Sequence, residues 1–378
     1  MSPRDLVFVA TAALLMIGTI VVQSAAMTVT DAGTLLDTVT DRTVLLALAA
    51  MAALAMGSLT PTRWLFSRHA AVGALGLAIV LLVLVLVPGI GREVNGARRW
   101  IDLGPFGFQP SEIAKWGLVL FLAWYIPRRA STMGAAGRGI LLPLAVIGIV
   151  CALTLLEDLG TAILIGAVAM LMLVAGGMRL RHVLLLIIPA CGAIAAAIAS
   201  EGYRVTRLKS FLDPWADPAG SGYHVIQSMK AISNGHIGGL GLGNGIQKFG
   251  YLPEDTTDFI FAVITEEFGF LGCMLVVGLF ATLIWSGWSV AARQVHPQRQ
   301  LLALGVTATI AVQAIINLLV VCGLAPTKGI ALPLVSSGGT GWLLTAFMLG
   351  CMASLDPRRT AAPTPPHQGA PLAADPSA

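Results

Sequence analysis

Asp258 ends a long polar segment and directly precedes an apolar run, in the string PEDTTDFIF. A carboxylate at such a boundary can take a proton from a hydroxyl group where water, polar headgroups and apolar chain meet. The position also suits a helix cap, because aspartate accepts bonds from the first free amides and complements the positive end of the helix dipole. Arg98 and Arg99 stand beside Trp100. Guanidinium groups bind phosphate oxygens in pairs of hydrogen bonds, and basic and aromatic residues also gather at membrane interfaces as anchors. Glu112 and Lys115 are three residues apart at the start of an expected helix and so share a face. An unpaired charge at that depth costs roughly 2.5 to 3.5 kcal/mol, which favours pairing, either as a structural salt bridge or as a pair shaping a cavity. Asp158 reads both as a cap and as a polar group of an outer turn, and Lys230, Lys248 and Lys328 are further candidate cations. Glu266 and Glu267 fall roughly 12 Å below Asp258 at about 1.5 Å per helical residue, a depth suited to contacts between helices.

These residues need a frame, and the composition says which. The 378 residues are 56% hydrophobic and 11% charged, far more apolar than one water-soluble core requires. Apolar runs near the roughly 20 residues that cross a bilayer recur along the chain. They predict helices over 6–27, 43–60, 70–88, 111–126, 139–156, 160–177, 183–199, 258–287, 301–322 and 338–355. The expectation is an all-α integral membrane protein of about ten transmembrane helices, residues 1–357 forming one membrane domain. The run at 6–27 is longer than a typical signal-peptide core, so it reads as an uncleaved first helix.

A cytoplasmic N-terminus places Arg63, Arg68, Arg128, Arg129, Arg138, Arg179, Arg181, Arg293, Arg299, Arg358 and Arg359 on the cytoplasmic side, as the positive-inside rule asks. Both termini are then cytoplasmic. Two polar, Gly-rich segments face outward, 89–110 and a large extracytoplasmic loop at about 200–257 between helices seven and eight, and long outer loops carry function. The tail over 358–378 is rich in Pro and Ala and is expected to be disordered.

Several classes are excluded on the same grounds. The net charge of +4 is small and scattered, which disfavours a nucleic-acid groove. Cys151, Cys191, Cys273, Cys322 and Cys351 lie in apolar runs without CxxC spacing, which argues against a disulfide framework and a metal site. The run Gly238 to Gly245 lacks the GKS or GKT of a nucleotide-binding loop and reads as tight backbone turns over a cavity.

Five strings in order then carry a resemblance: NGARRWIDLGPFGFQPSEIAK at 95–115, EDLGTA at 157–162, FLDPWADPAGSGYHVIQSMKAI at 211–232, GLGLGNGIQKFGYLPEDTTDFIFAVITEEFG at 239–269 and PTKGIALPLVSSGGTG at 326–341. Together they resemble the SEDS family of FtsW, RodA and SpoVE. The strings PTKG and NGARRW are closer to FtsW and SpoVE than to RodA. Three positions depart from the family pattern: Thr256 stands for a His, Glu157 for a Pro, and Ser337-Gly338-Gly339-Thr340 for Tyr-Gly-Gly-Ser.

The resemblance implies a peptidoglycan glycosyltransferase of the bacterial cytoplasmic membrane that polymerises lipid II into glycan strands, with undecaprenyl pyrophosphate leaving. Asp258 matches the family's essential aspartate and becomes the candidate general base. Arg98, Arg99, Glu112, Lys115, Asp158, Gln227, Lys230, Lys248, Glu254, Thr257, Lys328 and Ser336 become candidate substrate-binding residues. The resemblance further implies a divalent cation, Mg or Mn, on the pyrophosphate, although no ligand cluster marks its site. It also implies a class B penicillin-binding protein as partner, because no SxxK transpeptidase motif is present, together with other division proteins at the septum. Elongation of the side wall and lipid II flipping are the competing roles.

Overall fold

In the computed structural model the described residues are 1–26, 41–94, 97–103, 106–133, 138–247, 252, 254, 256–337 and 339–356. Twelve main helices and three short strands follow in the order α1 Pro3–Ala26, α2 Arg42–Leu59, α3 Arg68–Val85, β1 Gly91–Val94, β2 Ala97–Leu103, β3 Phe106–Phe108, α4 Pro110–Arg128, α5 Arg138–Glu157, α6 Leu159–Ala175, α7 Leu180–Ala199, α8 Gly202–Leu212, α9 Tyr223–Asn234, α10 Ile260–Ala292, α11 Pro297–Val321 and α12 Thr340–Ala353. Each of the ten expected segments coincides with a helix. Among the described residues, seven helices are long and apolar enough to cross a membrane, and α6 and α12 are shorter apolar helices. Helix α4 is of spanning length but carries Glu112, Lys115 and Arg128. The expected tail at 358–378 lies outside the described residues.

The helices pack through small residues, as they must where lipid offers no hydrophobic drive between apolar faces. Helices α2 and α12 cross backbone to backbone: a side-chain carbon on Gly57 would lie 2.1 Å from the Phe347 carbonyl, and one on Gly350 would lie 2.1 Å from the Leu54 carbonyl. Helix α4 lies against α3, α6 and α11 and is buried along most of its length.

The two polar segments differ from their expected form. Residues 91–108 contain a three-stranded antiparallel meander in the order β1, β2, β3, where sequence reading saw only a loop. The segment 200–257 contains α8 and the amphipathic α9, which lays Val225, Ile226 and Ala231 into the core. Helix α10 starts two residues later than expected and is broken at Gly269, whose φ of 66° breaks the helical path. The Gly-rich run repairs this break instead of roofing a cavity. His236 and Ile237 carbonyls accept from the Phe270 and Leu271 amides at 3.0 and 3.3 Å. In return the Leu240 and Gly241 amides donate to the Glu266 and Glu267 carbonyls at 3.0 and 2.9 Å. A helix interrupted inside a bundle needs such substitutes for its lost bonds. Glu266 and Glu267 are buried there and accept from Asn234, the Gln247 amide and Ser24, which ties α9 and α1 to α10.

Candidate active site

At the end of the bundle that carries the sheet, a cavity of about 230 Å³ opens between β2, α4, α8, the segment before α10 and the loop 322–339. Asp258 lines it. The residue is half-buried, and its carboxylate receives no hydrogen bond among the described residues. It does not cap α10, because the N-cap position falls to Phe259. Its backbone is held instead: Asn317 on α11 donates to the Asp258 carbonyl at 2.9 Å and to the Ile330 carbonyl at 2.8 Å. Ser336 donates to the Thr257 carbonyl, and the Ser337 amide to the Thr256 carbonyl at 2.9 Å. The loop before α12 is thus bolted to the segment before α10, and the aspartate stays presented without being consumed by a cap.

Burial pushes the Asp258 carboxyl up to about 7, with repulsion from Glu254 and Asp158 adding to it and Arg207 and Arg99 opposing it. A carboxyl poised there matches the working range of a general base near neutral pH.

Of the expected residues, Arg99, Glu112, Glu254, Thr257 and Ser336 line the same cavity. Glu254 accepts from the Thr257 hydroxyl at 2.8 Å. Lys115 lies beneath, with 2% of its side chain exposed, and donates to both Glu112 oxygens and to Gln313 at 2.9 Å each. Gln313 in turn donates to the Ala331 carbonyl at 2.9 Å, so the pair joins α4 to α11 and to the loop.

A second pocket of about 80 Å³ adjoins the first and shares Arg99, Tyr203, Arg207 and Gly329 with it. Lys328, Arg204 and Asp158 complete its polar lining. Asp158 caps α6, accepting from the Gly160 amide at 2.8 Å and the Thr161 hydroxyl at 2.7 Å. Arg204 is committed to the Ala197 and Leu155 carbonyls. Arg99 uses its Nε on the Glu157 carbonyl at 2.8 Å, which leaves the outer guanidinium edge toward the cavities. Burial lowers the pKa of the Lys328 ammonium, and Asp158 opposes the shift. Arg99, Arg207 and Lys328 therefore gather beside the Asp258 cavity, with Asp158 among them.

Besides Lys115, which lies beneath, three expected residues are not brought to either cavity. Arg98 turns to Glu93 at 3.7 Å and to the Leu86 carbonyl, since successive residues of a strand face opposite ways. Lys230 is exposed and Gln227 buried on α9, both away from the lining. Lys248 lies outside the described residues. No cluster of three or more His, Cys, Asp or Glu side chains suited to a metal occurs among the described residues, so the expected divalent cation has no ready-made cage here.

Sequence reading missed Arg207 and Tyr203, because α8 was taken as loop, and Gln313 and Asn317 on α11. The last two had a legible signal: two amides four residues apart in an otherwise apolar span share one face and need polar partners.

Comparison with known proteins agrees with this architecture. A chain of a peptidoglycan synthase complex, described as coordinating polymerization and crosslinking, superposes with a TM-score of 0.72 at 28% identity, covering 94% of this chain and 98% of that one. The rod shape determining protein RodA of Thermus thermophilus gives 0.64 at 28% identity over 94% of this chain and 96% of its own. A probable peptidoglycan glycosyltransferase FtsW of Alkalilimnicola ehrlichii is 39% identical over 346 residues, 90% of this chain and 86% of that protein. One of Legionella pneumophila is 40% identical over 282 residues, 74% of this chain and 72% of that protein. The family model described as cell cycle protein matches residues 4–361, and the chain belongs to the FtsW/RodA/SpoVE family of membrane proteins.

Proposed function

We propose that this chain is a peptidoglycan glycosyltransferase that polymerises lipid II, with Asp258 as general base. The observation that supports it is the polarity of one connected site: a carboxylate without a hydrogen bond among the described residues, raised to about 7, lines a cavity that joins a pocket lined by Arg99, Arg207 and Lys328. In the reaction, the acceptor sugar hydroxyl gives its proton to Asp258 while its oxygen bonds to the donor's anomeric carbon. The bond from that carbon to the diphosphate oxygen breaks, and the diphosphate leaves with the electron pair toward the cations. A single base on the acceptor face suits inversion at the anomeric carbon. Glu112 and Lys115 set the floor, and Glu254 and Thr257 line the acceptor side.

A flippase would need polar groups through the middle of the bundle. Here the polar lining ends at Lys115, below which a cavity of about 10 Å³ is lined by Leu118, Val119, Leu122 and other apolar side chains. That favours chemistry at one face over passage. Relatives named FtsW at about 40% identity favour the septal role over side-wall elongation, and the likeness to a synthase complex supports a transpeptidase partner of the class B type. The reading places the chain in the bacterial inner membrane with both termini cytoplasmic.

The test is polymerisation of labelled lipid II by the purified protein, with and without a cognate transpeptidase. Asp258→Asn should keep the fold and give no glycan ladder; near-normal polymer from that variant overturns the assignment. A fluorescent fusion spread along the side wall, absent from midcell, would overturn the septal role.

A further inference from the structure

A third cavity of about 190 Å³ adjoins the first at Trp100 and Trp342. The two share Trp100, Ser337 and Trp342, which form the partition between them. Arg42, Thr43 and Leu46 of α2 and Gly107 of β3 line the far side. The Asp258 cavity thus shares walls both with the pocket that holds Lys328 and Asp158 and with this one, whose walls include two indoles.

The partition is rigid and in register with the base. Trp342 is 2% exposed and its indole N–H donates to the Ser336 carbonyl at 2.7 Å. Ser336 and Ser337 are themselves bonded to the Thr257 carbonyl and the Thr256 carbonyl, one and two residues before Asp258. Trp100 is half-buried and stands against Gly107, where a side-chain carbon would come within 3.4 Å of the indole. An indole face with polar groups at its rim is the chemistry that receives a pyranose, whose ring presents apolar C–H groups on its faces and hydroxyls at its edge.

We infer that the third cavity is a saccharide subsite, with Trp100 as its stacking platform, for the N-acetylated sugar unit next to the one reacting at Asp258. This rests on the glycosyl-transfer reading above. Each lipid II brings a disaccharide, so a sugar that is not itself joined lies beside the Asp258 cavity, and the pocket holding Lys328 suits the diphosphate. The aromatic cavity shares Trp100, Ser337 and Trp342 with the Asp258 cavity and so lies next to the reacting sugars.

The test titrates the detergent-purified full chain with a soluble tetrasaccharide of the glycan strand that carries neither lipid nor diphosphate, and reads strand length from the same preparations given labelled lipid II. The fragment should bind wild type, bind about tenfold more weakly to Trp100→Ala and to Leu46→Trp, and recover to within about threefold in Trp100→Phe. Trp100→Ala should also give shorter strands at equal substrate consumption. Unchanged affinity in Trp100→Ala, an equal loss in Trp100→Phe, or no binding to wild type overturns the subsite. A wild type that binds the fragment yet forms no polymer keeps the subsite and overturns the polymerase reading.

Discussion

Asp258 and Arg99 both reach the space beside Gly329: a carbon built on that glycine would lie 3.4 Å from Asp258 Oδ2 and 3.5 Å from an Arg99 Nη. Base and cation thus converge without an ion pair between them, and the glycine keeps the space between them open.

Gly329→Ala places a methyl group in that space. Both contacts are ordinary van der Waals distances and Gly329 is not in the left-handed region, so the fold should hold with an unchanged melting temperature. Polymerisation should fall by about ten- to a hundredfold, because displacing a reacting group by even 1 Å can cost that much. A rate equal to wild type would remove the space between Asp258 and Arg99 from the mechanism.

The Asp258 carboxyl must be ionised to accept a proton, and it is pushed up to about 7. Its rate constant should therefore rise about tenfold per pH unit below 7 and level off above it. Stability moves the other way. Between its ordinary 3.8 and about 7 this group is protonated in the folded chain and ionised in the unfolded one, so its contribution falls as pH rises through that window. Asp258→Asn should accordingly melt higher than wild type at pH 8 and alike at pH 4. Matching melting curves at both values would show that the carboxyl does not titrate as described.

Lys115→Met strips the cation from both Glu112 oxygens and from Gln313. Glu112, 16% exposed in its side chain, then keeps a charge without its partner, and breaking a buried pair costs about 3 to 5 kcal/mol. The variant should lose thermal stability in detergent, and the double change Lys115→Met with Glu112→Gln should recover much of it. Equal destabilisation in the single and double variants would mean that the pair is not coupled.

The helices were legible in the chain, because an apolar run of bilayer length has one low-energy answer: backbone groups bonded within the segment. Asp158 was legible as a cap for the same local reason. Asp258 was legible as the residue to watch, but its freedom from capping was not, since that depends on Asn317 and Ser336, 59 and 78 positions on, holding its segment in place. The hairpin could have been read from Asn95-Gly96, a strong turn signal, and with it the fact that Arg98 and Arg99 face opposite ways.

The sequence by itself determined a polytopic helical membrane protein of one family, with long apolar helices joined by polar segments, because hydropathy and capping act over a few residues. Only the tertiary structure decided that Arg99 and not Arg98 joins Arg207, Lys328 and Asp258, and that Trp100 divides two cavities. Those neighbours lie far apart in the chain, and their meeting is set by how helices cross at Gly57 and Gly350 and break at Gly269, where packing of backbone against backbone chooses one arrangement that no local pattern encodes.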